Sequence, residues 1–573
     1  MTSRRQFLQT AGVGLLTPWV LSSATTSAPT NSHDTASVFS SSIASGDPSP
    51  TGVILWTRID PAAFQPNVPL SFEVATDDAF SKVVVRGEIP AGGLGPNGDY
   101  TARVDLDGHL AAGRRYAYRF LYDGVTSRVG HCRTLPVPNA FVWRLRLGVI
   151  TCQDYTNGYY GAFAHLAATD LDFVLHLGDF IYETAGDPRF QSLPYPDRTF
   201  ALPSGARAAS SLEDYRFLYR KYRSDPLLQK LLEQHTFITI WDDHETANDC
   251  YWDYARDTLG APDHPFVVDH PNGGDPAQLR GLKLAAQQAW SEYVPARVTF
   301  NSQATHPFQA LSIYRQFKFG RLMELFATDE RTYRDEFPCG VEKRNLAPGC
   351  PEQSNPQRSM LGDTQREWFL NGVTQSTSQW KVWANEVFLG QLKVGREDGL
   401  RLFATVDAWD GFEAERRQIL TQVRDAGVRN FVALTGDLHT YMASLLKVDY
   451  SRRSNTPGSN VVGVEFMTPA ITSTTLIQRL INNLTRADKQ TLALPNDAVR
   501  QFNLLENLVR TANPHVHFFN SQEWGYSLVD FTPWDCTYSA YSVSTAVNSA
   551  NAAQRLIRKI RVPVNQTKFV DVV

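Results

Sequence analysis

A layered α/β region preceded by an all-β module is the fold class that the chain predicts, and three observations carry it. Between Val38 and Leu135, short β-like runs follow one another with Pro, Gly, Asn and Asp between them. From Asn139 onward, strand-like runs alternate with helical stretches such as Gly161–Thr169 and Leu212–Gln234, the signature of a layered α/β domain. Four of the later runs end in metal-seeking side chains: LRLGVITC (145–152), LDFVLHLGD (171–179), FITIWDDH (237–244) and FVALTGDLH (431–439).

In the first module the runs are GVILWTRI, LSFEVATD, KVVVRGEI, YTARVDLDG, RRYAYRFLYDG and SRVGHCRTL. About seven strands over roughly 100 residues fit a sandwich of immunoglobulin or fibronectin type, expected over 38–135. The link Pro136-Val137-Pro138-Asn139 separates it from a catalytic region expected over 140–540, with 541–573 as a C-terminal tail. The stretch Leu476–Val509 reads as an amphipathic insertion or lid whose apolar spacing serves packing rather than membrane contact.

The N-terminus carries Ser3-Arg4-Arg5-Gln6-Phe7-Leu8, an apolar stretch to Leu21, and the small residues Ser22-Ser23-Ala24. This pattern resembles a twin-arginine signal with a peptidase site, so residues 1–30 are expected to direct export to the periplasm or the cell exterior. The apolar stretch falls short of the roughly 20 residues that span a bilayer, which argues against a stable membrane anchor. With 42% hydrophobic residues and a formal charge of -4, the 573-residue chain lacks the basic balance of a nucleic-acid binder. Of six cysteines, Cys339 and Cys350 share a Pro/Gly-marked loop and are expected to pair in an oxidising compartment. Cys132, Cys250 and Cys536 read as buried free thiols, whereas Cys152, at a strand end, reads as a ligand.

Each of the four strand-end runs is rich in Val, Ile, Leu and Phe and too short for a long helix, so each reads as a buried strand. Side chains beyond such strands emerge at the sheet edge, where open α/β folds collect ligands. GDFIYE offers Asp179 and Tyr182, three residues apart; an Asp cap and a core Tyr are the plainer alternative. WDDHETAND packs Asp242, Asp243, His244, Glu245, Asn248 and Asp249 behind apolar FITIW, which a solvated acidic turn explains poorly. GDLHT sets Asp437 and His439 on one side of an extended segment.

Together with CQDYTNGYYGAFAHLA, IASGDPSPTGVILWTRI, ATDERTYRD, QWKVWANEVF, DAWDGFEAERRQIL and EFMTPAITS, these clusters resemble the alkaline phosphatase D (PhoD) family of calcineurin-like metallophosphoesterases, from about Val38 to Pro533. The resemblance implies a metallophosphatase β-sandwich flanked by helices and a centre of ferric iron (Fe3+) and calcium (Ca2+). Cys152, Asp179, Tyr182 and His439 would favour the iron, with Asp179 bridging. Asp437 with Asp243 or Asn248 would offer hard oxygen donors to calcium. His244 would protonate the leaving group or steady the phosphoryl charge, or else hydrogen-bond an Asp. Arg331 would clamp phosphate oxygens, or pair with Asp329 or Asp335. Asn385 and Trp409 would line the pocket, or, for Trp409, the core. The implied activity is hydrolysis of phosphomonoesters, phosphodiesters or both by a metal-activated hydroxide. A phospholipase D-like phosphodiesterase, a ferric oxidoreductase and a non-catalytic surface-binding protein remain as alternatives. Oligomeric state is left open.

Overall fold

In a computed structural model of the chain, residues 17–21, 34–269, 273–340, 344–395, 401–452, 457, 459–483 and 503–573 are described. Most of the expected leader, residues 1–16 and 22–30, and the middle of the expected lid, 484–502, lie outside them. Two large sheets dominate. One has ten strands in the order Val570–Asp571, Gln554–Pro563, Asp535–Val543, Gly525–Phe531, Leu145–Ile150, Phe173–Leu177, Thr236–Ile240, Ile43–Ser49, Gly52–Arg58 and Thr101–Asp105. The other has seven, with Met323–Ala327, Trp380–Ala384, Phe431–Thr435 and Val461–Met467 parallel at its centre.

The sheets face each other, and the pleat explains how. On Trp380–Ala384, Val382 and Ala384 share one apolar core with Leu147, Val149 and Leu175 of the ten-stranded sheet, while Trp383 points to the other side. Phe466 stacks on Tyr538 with centroids 4.7 Å apart, and Phe173 meets Phe319 edge-on at 5.3 Å, so aromatic pairs also cross the gap. Behind the seven-stranded sheet, helices Gly362–Gln375 and Glu413–Asp425 bury Phe369, Val373, Ile419 and Leu420 against Trp383 and Phe431. This is a helix-flanked α/β sandwich, a layered α/β arrangement as the sequence pattern predicts and of the kind that the family resemblance implies.

Local chemistry sets the element ends. The single helical stretch expected over Leu212–Gln234 is two helices, Leu212–Arg223 and Pro226–Gln234. Pro226 has no N–H to continue the first helix and favours the first turn of a new one. Asp225 caps that turn, accepting from the backbone N–H of Leu227 at 2.8 Å and of Leu228 at 3.2 Å.

The β-rich N-terminal region divides between two sheets. Leu70–Ala75, Val83–Ile89, Arg115–Tyr122 and Gly130–Arg133 build a separate antiparallel sheet, with Val20–Leu21 along its edge. Ile43–Ser49 instead pairs in parallel with Thr236–Ile240, carrying Gly52–Arg58 and Thr101–Asp105 into the ten-stranded sheet. At the other edge, Asp535–Val543 crosses the boundary expected at 540 and Gln554–Pro563 pairs with it, so the C-terminal segment continues the sheet. Helices Leu476–Asn483 and Asn503–Ala512 insert Leu476, Leu508 and Val509 into the core behind the seven-stranded sheet. No described helix is long and apolar enough to cross a membrane.

Cys339 and Cys350 form a disulfide across eleven positions of sequence, and Cys132, Cys152, Cys250 and Cys536 are buried free thiols. Closing a loop of that size restricts the unfolded chain by roughly 2–3 kcal/mol. The double variant Cys339→Ser/Cys350→Ser should therefore lose about that much stability in denaturant unfolding, with its circular dichroism spectrum unchanged.

Candidate metal centre

Three neighbouring parallel strands of one sheet and one strand of the other end at the same place. Leu145–Ile150, Phe173–Leu177 and Thr236–Ile240 lead to Cys152, Asp179 and Asp242–His244, while Phe431–Thr435 of the facing sheet leads to Asp437 and His439. Ligand atoms of Cys152, Asp179 and His439 lie within 4.8 Å of one another, as do those of Asp179, Asp243 and His244, and those of Asp242, Asp243 and Asp437. Tyr182 donates its hydroxyl to Asp179 Oδ2 at 2.8 Å and lies 3.3 Å from His439 Nε2.

The backbone turns sharply to achieve this. Cys152, Asp179, Asp437 and His439 adopt left-handed φ values of 56°, 57°, 64° and 53°. Each such non-glycine residue costs roughly 1–3 kcal/mol and persists only where surrounding structure fixes it. Gly178, at φ 95°, precedes Asp179; a Cβ there would stand 2.4 Å from the Cβ of Asp242. Only glycine lets these two strand ends approach so closely. Glu245 clips them together, accepting from the backbone N–H of Asp179 at 3.0 Å, Phe180 at 2.7 Å and Asp242 at 2.8 Å.

The electrostatics leave a surplus of negative charge. Asp179, Asp242, Asp243 and Asp437 converge on the centre, and each is buried or nearly so. Burial pushes Asp179 up to about 6, opposed by His244 and reinforced by Asp243. It pushes Asp437 up to about 8, opposed by Arg331 and reinforced by Asp243 and Asp407. The Cys152 thiol and Tyr182 phenol are raised well above their ordinary range by burial and by Asp179. Burial lowers His439 to about 3, leaving its imidazole neutral. Burial also opposes charge on His244, but Glu183, Asp179 and Asp243 hold it up at about 10. Its Nδ1 lies 2.6 Å from Glu183 Oε2, and His264 Nε2 lies 3.3 Å from Glu183 Oε1.

The donor set fits bound cations. It combines a thiol, a phenol, an imidazole and several carboxylates, the mixture that suits one softer and one harder ion. Both amide atoms of Asn248 are buried without a hydrogen-bond partner, an arrangement that a ligand would relieve. Asp243, by contrast, already accepts from the backbone N–H of His244 at 3.0 Å and of Asp249 at 2.6 Å.

All nine candidate residues read from the sequence gather here, but Arg331 does so differently from either expectation. Its side chain pairs with neither Asp329 nor Asp335. Fully buried, it gives Nε to Asp242 at 2.5 Å, Nη1 to Asp407 at 2.7 Å and Nη2 to Asp437 at 2.9 Å. Asp329 meets Arg331 only at that residue's backbone, accepting from its N–H at 3.0 Å and from that of Thr332 at 2.8 Å. Trp409 is core, edge-on to Trp383 at 5.5 Å, and Asn385 is fully buried with its Nδ2 unpartnered. Sequence reasoning missed Glu183 and His264, whose role appears only when the chain folds His264 back onto the GDFIYE turn, and it gave Glu245 no role.

The family model of the PhoD-like phosphatases matches residues 147–540, and that of their N-terminal domain matches residues 24–136. The chain belongs to the PhoD-like phosphatase family. It is 31% identical over 560 residues to alkaline phosphatase D of Bacillus subtilis (strain 168), covering 96% of this chain and 86% of that protein. A solved structure described as the structure of PhoD superposes with a TM-score of 0.76 at 28% identity, covering 95% of this chain and 94% of the other. Membership of the PhoD-like phosphatases makes the chain a hydrolase of phosphoric esters, and the three clusters are possible metal sites of a metal-dependent enzyme. Within that centre, Glu245→Ala should leave three buried N–H groups without an acceptor. A loss on the order of 3 kcal/mol in denaturant unfolding is expected, together with a fall in hydrolase activity as the two strand ends separate.

Proposed function

We propose that this PhoD-like chain is an exported, metal-dependent phosphatase hydrolysing phosphomonoesters, phosphodiesters or both. The observation that carries the reading is the convergence of buried Cys, Tyr, His and Asp donors from two facing sheets on one point, with more carboxylates than neighbouring cations. Cys152, Asp179, Tyr182 and His439 would hold ferric iron, since thiolate and phenolate are the anionic donors that Fe3+ favours. Asp437, Asp243 and the unpartnered Asn248 would hold calcium through oxygen. Such cations supply Lewis acidity, offsetting phosphoryl charge and lowering the pKa of a water molecule.

The chain's own residues supply orientation and a proton. Glu183 engages Nδ1 of His244, which leaves Nε2 free to protonate the leaving ester oxygen. His264 steadies Glu183 from its other oxygen, so the imidazole keeps its charge and its tilt. Phe190 packs edge-on to the His244 ring at 4.3 Å and shields it from water.

Purified protein should hydrolyse p-nitrophenyl phosphate or its bis-ester, and no turnover of either would sink the reading. Metal analysis should find iron and calcium, and chelation should abolish activity. The native protein should be coloured, with a visible band that disappears in Tyr182→Phe; a colourless, active, zinc-loaded enzyme would overturn the metal assignment. Export by the twin-arginine machinery predicts a secreted form cleaved after the leader, which N-terminal sequencing of that form checks.

A further inference from the structure

Arginines crowd the centre, yet almost all of their donors face carboxylates. Arg331 is held by Asp242, Asp407 and Asp437. Arg334 is held by Asp407, Arg344 by Asp249 and Asp263, and Arg189 by Asp187 and Asp263. Each of these ion pairs neutralises the protein's own buried charge, so Arg331, Arg344 and Arg189 could meet an incoming phosphate only by abandoning an aspartate, whereas Arg334 is held through Nη1 by Asp407 and through Nε by the Asp335 carbonyl, with its Nη2 buried and unpartnered. Arg331, the residue that the sequence nominates as the phosphate clamp, is the most fully committed of them.

Arg479 differs. It lies in the first turn of helix Leu476–Asn483, where its backbone N–H donates to Thr475 O at 2.9 Å. That helix is moored to the centre: Leu476 N–H donates to the carbonyl of His439 at 3.3 Å, and His439 Nδ1 meets Thr474 O. The guanidinium lies 4.9 Å above the Phe190 ring, and that ring in turn packs at 4.3 Å from His244 and 6.5 Å from His439. Arg479 is half-buried, and no described carboxylate forms an ion pair with it.

We propose that Arg479 is the substrate-binding arginine of this enzyme, donating to non-bridging oxygens of the bound phosphoester and favouring monoesters over diesters. The inference rests on the phosphatase reading above. A phosphomonoester brings two negative charges near neutral pH and a diester brings one, so a guanidinium aimed at the non-bridging oxygens gains more from the monoester. The Phe190 face beneath it fixes the planar group without competing for its N–H donors. Helix Leu476–Asn483 would then form one wall of the substrate site, with its position set by His439.

The test compares Arg479→Ala and Arg479→Lys with the parent holoenzyme on p-nitrophenyl phosphate and bis-p-nitrophenyl phosphate, with inorganic phosphate as inhibitor and as calorimetric ligand. The expected result for Arg479→Ala is a loss of about 10- to 100-fold in kcat/KM for the monoester, a much smaller loss for the diester, and phosphate binding about tenfold weaker or more. Arg479→Lys should recover part of the monoester activity and of the phosphate affinity. Equal losses on both esters, or phosphate affinity unchanged in Arg479→Ala, would overturn the proposal in favour of a merely structural role. A parent that binds phosphate in an Arg479-dependent way but turns over neither ester would refute the phosphatase reading while sparing the contact.

Discussion

Negative charge buried between two sheets is the constraint around which the rest of this structure is arranged. Asp179, Asp242, Asp243 and Asp437 meet where water is largely excluded, and an unbalanced carboxylate there costs several kcal/mol. Arg331 answers part of that charge by spanning three aspartates, and His244 answers another part by staying protonated against Glu183. The remainder invites cations, and donors as different as a thiol and an unpartnered amide stand ready for them. The same balance explains why nearby arginines are committed before any substrate arrives.

Holding these groups together requires a backbone that no single strand could supply. Two strands of one sheet and one of the other end in residues with left-handed backbone, each intrinsically unfavourable. Glu245 bridges two of those ends, and Gly178 permits their approach. Because Asp437 and His439 belong to the opposite sheet, the centre exists only while the two sheets remain packed. The aromatic pairs Phe466–Tyr538 and Phe173–Phe319 and the shared Val, Leu and Ile core are thus conditions for function as well as for stability.

Sequence reading recovered the centre because its signals are local. Each short apolar run is followed within a few residues by Cys, Asp or His, and that adjacency survives without any three-dimensional knowledge. The partners of Arg331 were not legible, because Asp242, Asp407 and Asp437 lie 76 to 106 positions away and nothing in DERTYRD favours them over Asp329 or Asp335. His264 reaches Glu183 from a distant segment for the same reason. The break at Asp225-Pro226 was legible in principle, since proline cannot continue a helix, but the amphipathic pattern runs on across it and masks the interruption.

The division of the N-terminal β region shows how far a run's own composition can mislead about its neighbours. IASGDPS contains two glycine- or proline-bearing turns' worth of strand breakers, yet Ile43–Ser49 lies beside Thr236–Ile240, the strand that delivers Asp242, Asp243 and His244. Gly46 is what allows this, since a Cβ there would press into the Pro295 carbonyl, and Asp47 then fastens the strand through a bidentate pair with Arg315 at 2.8 Å. Arg297 adds a second fastening, donating to Asp47 from its backbone and to Asp105 from its side chain at 2.9 Å. A segment so tied to the strand behind the WDDHE turn acts on the centre through position rather than contact. Loosening it would free the outer flank of Thr236–Ile240, and with it the end at which Glu245 holds Asp242 against Asp179.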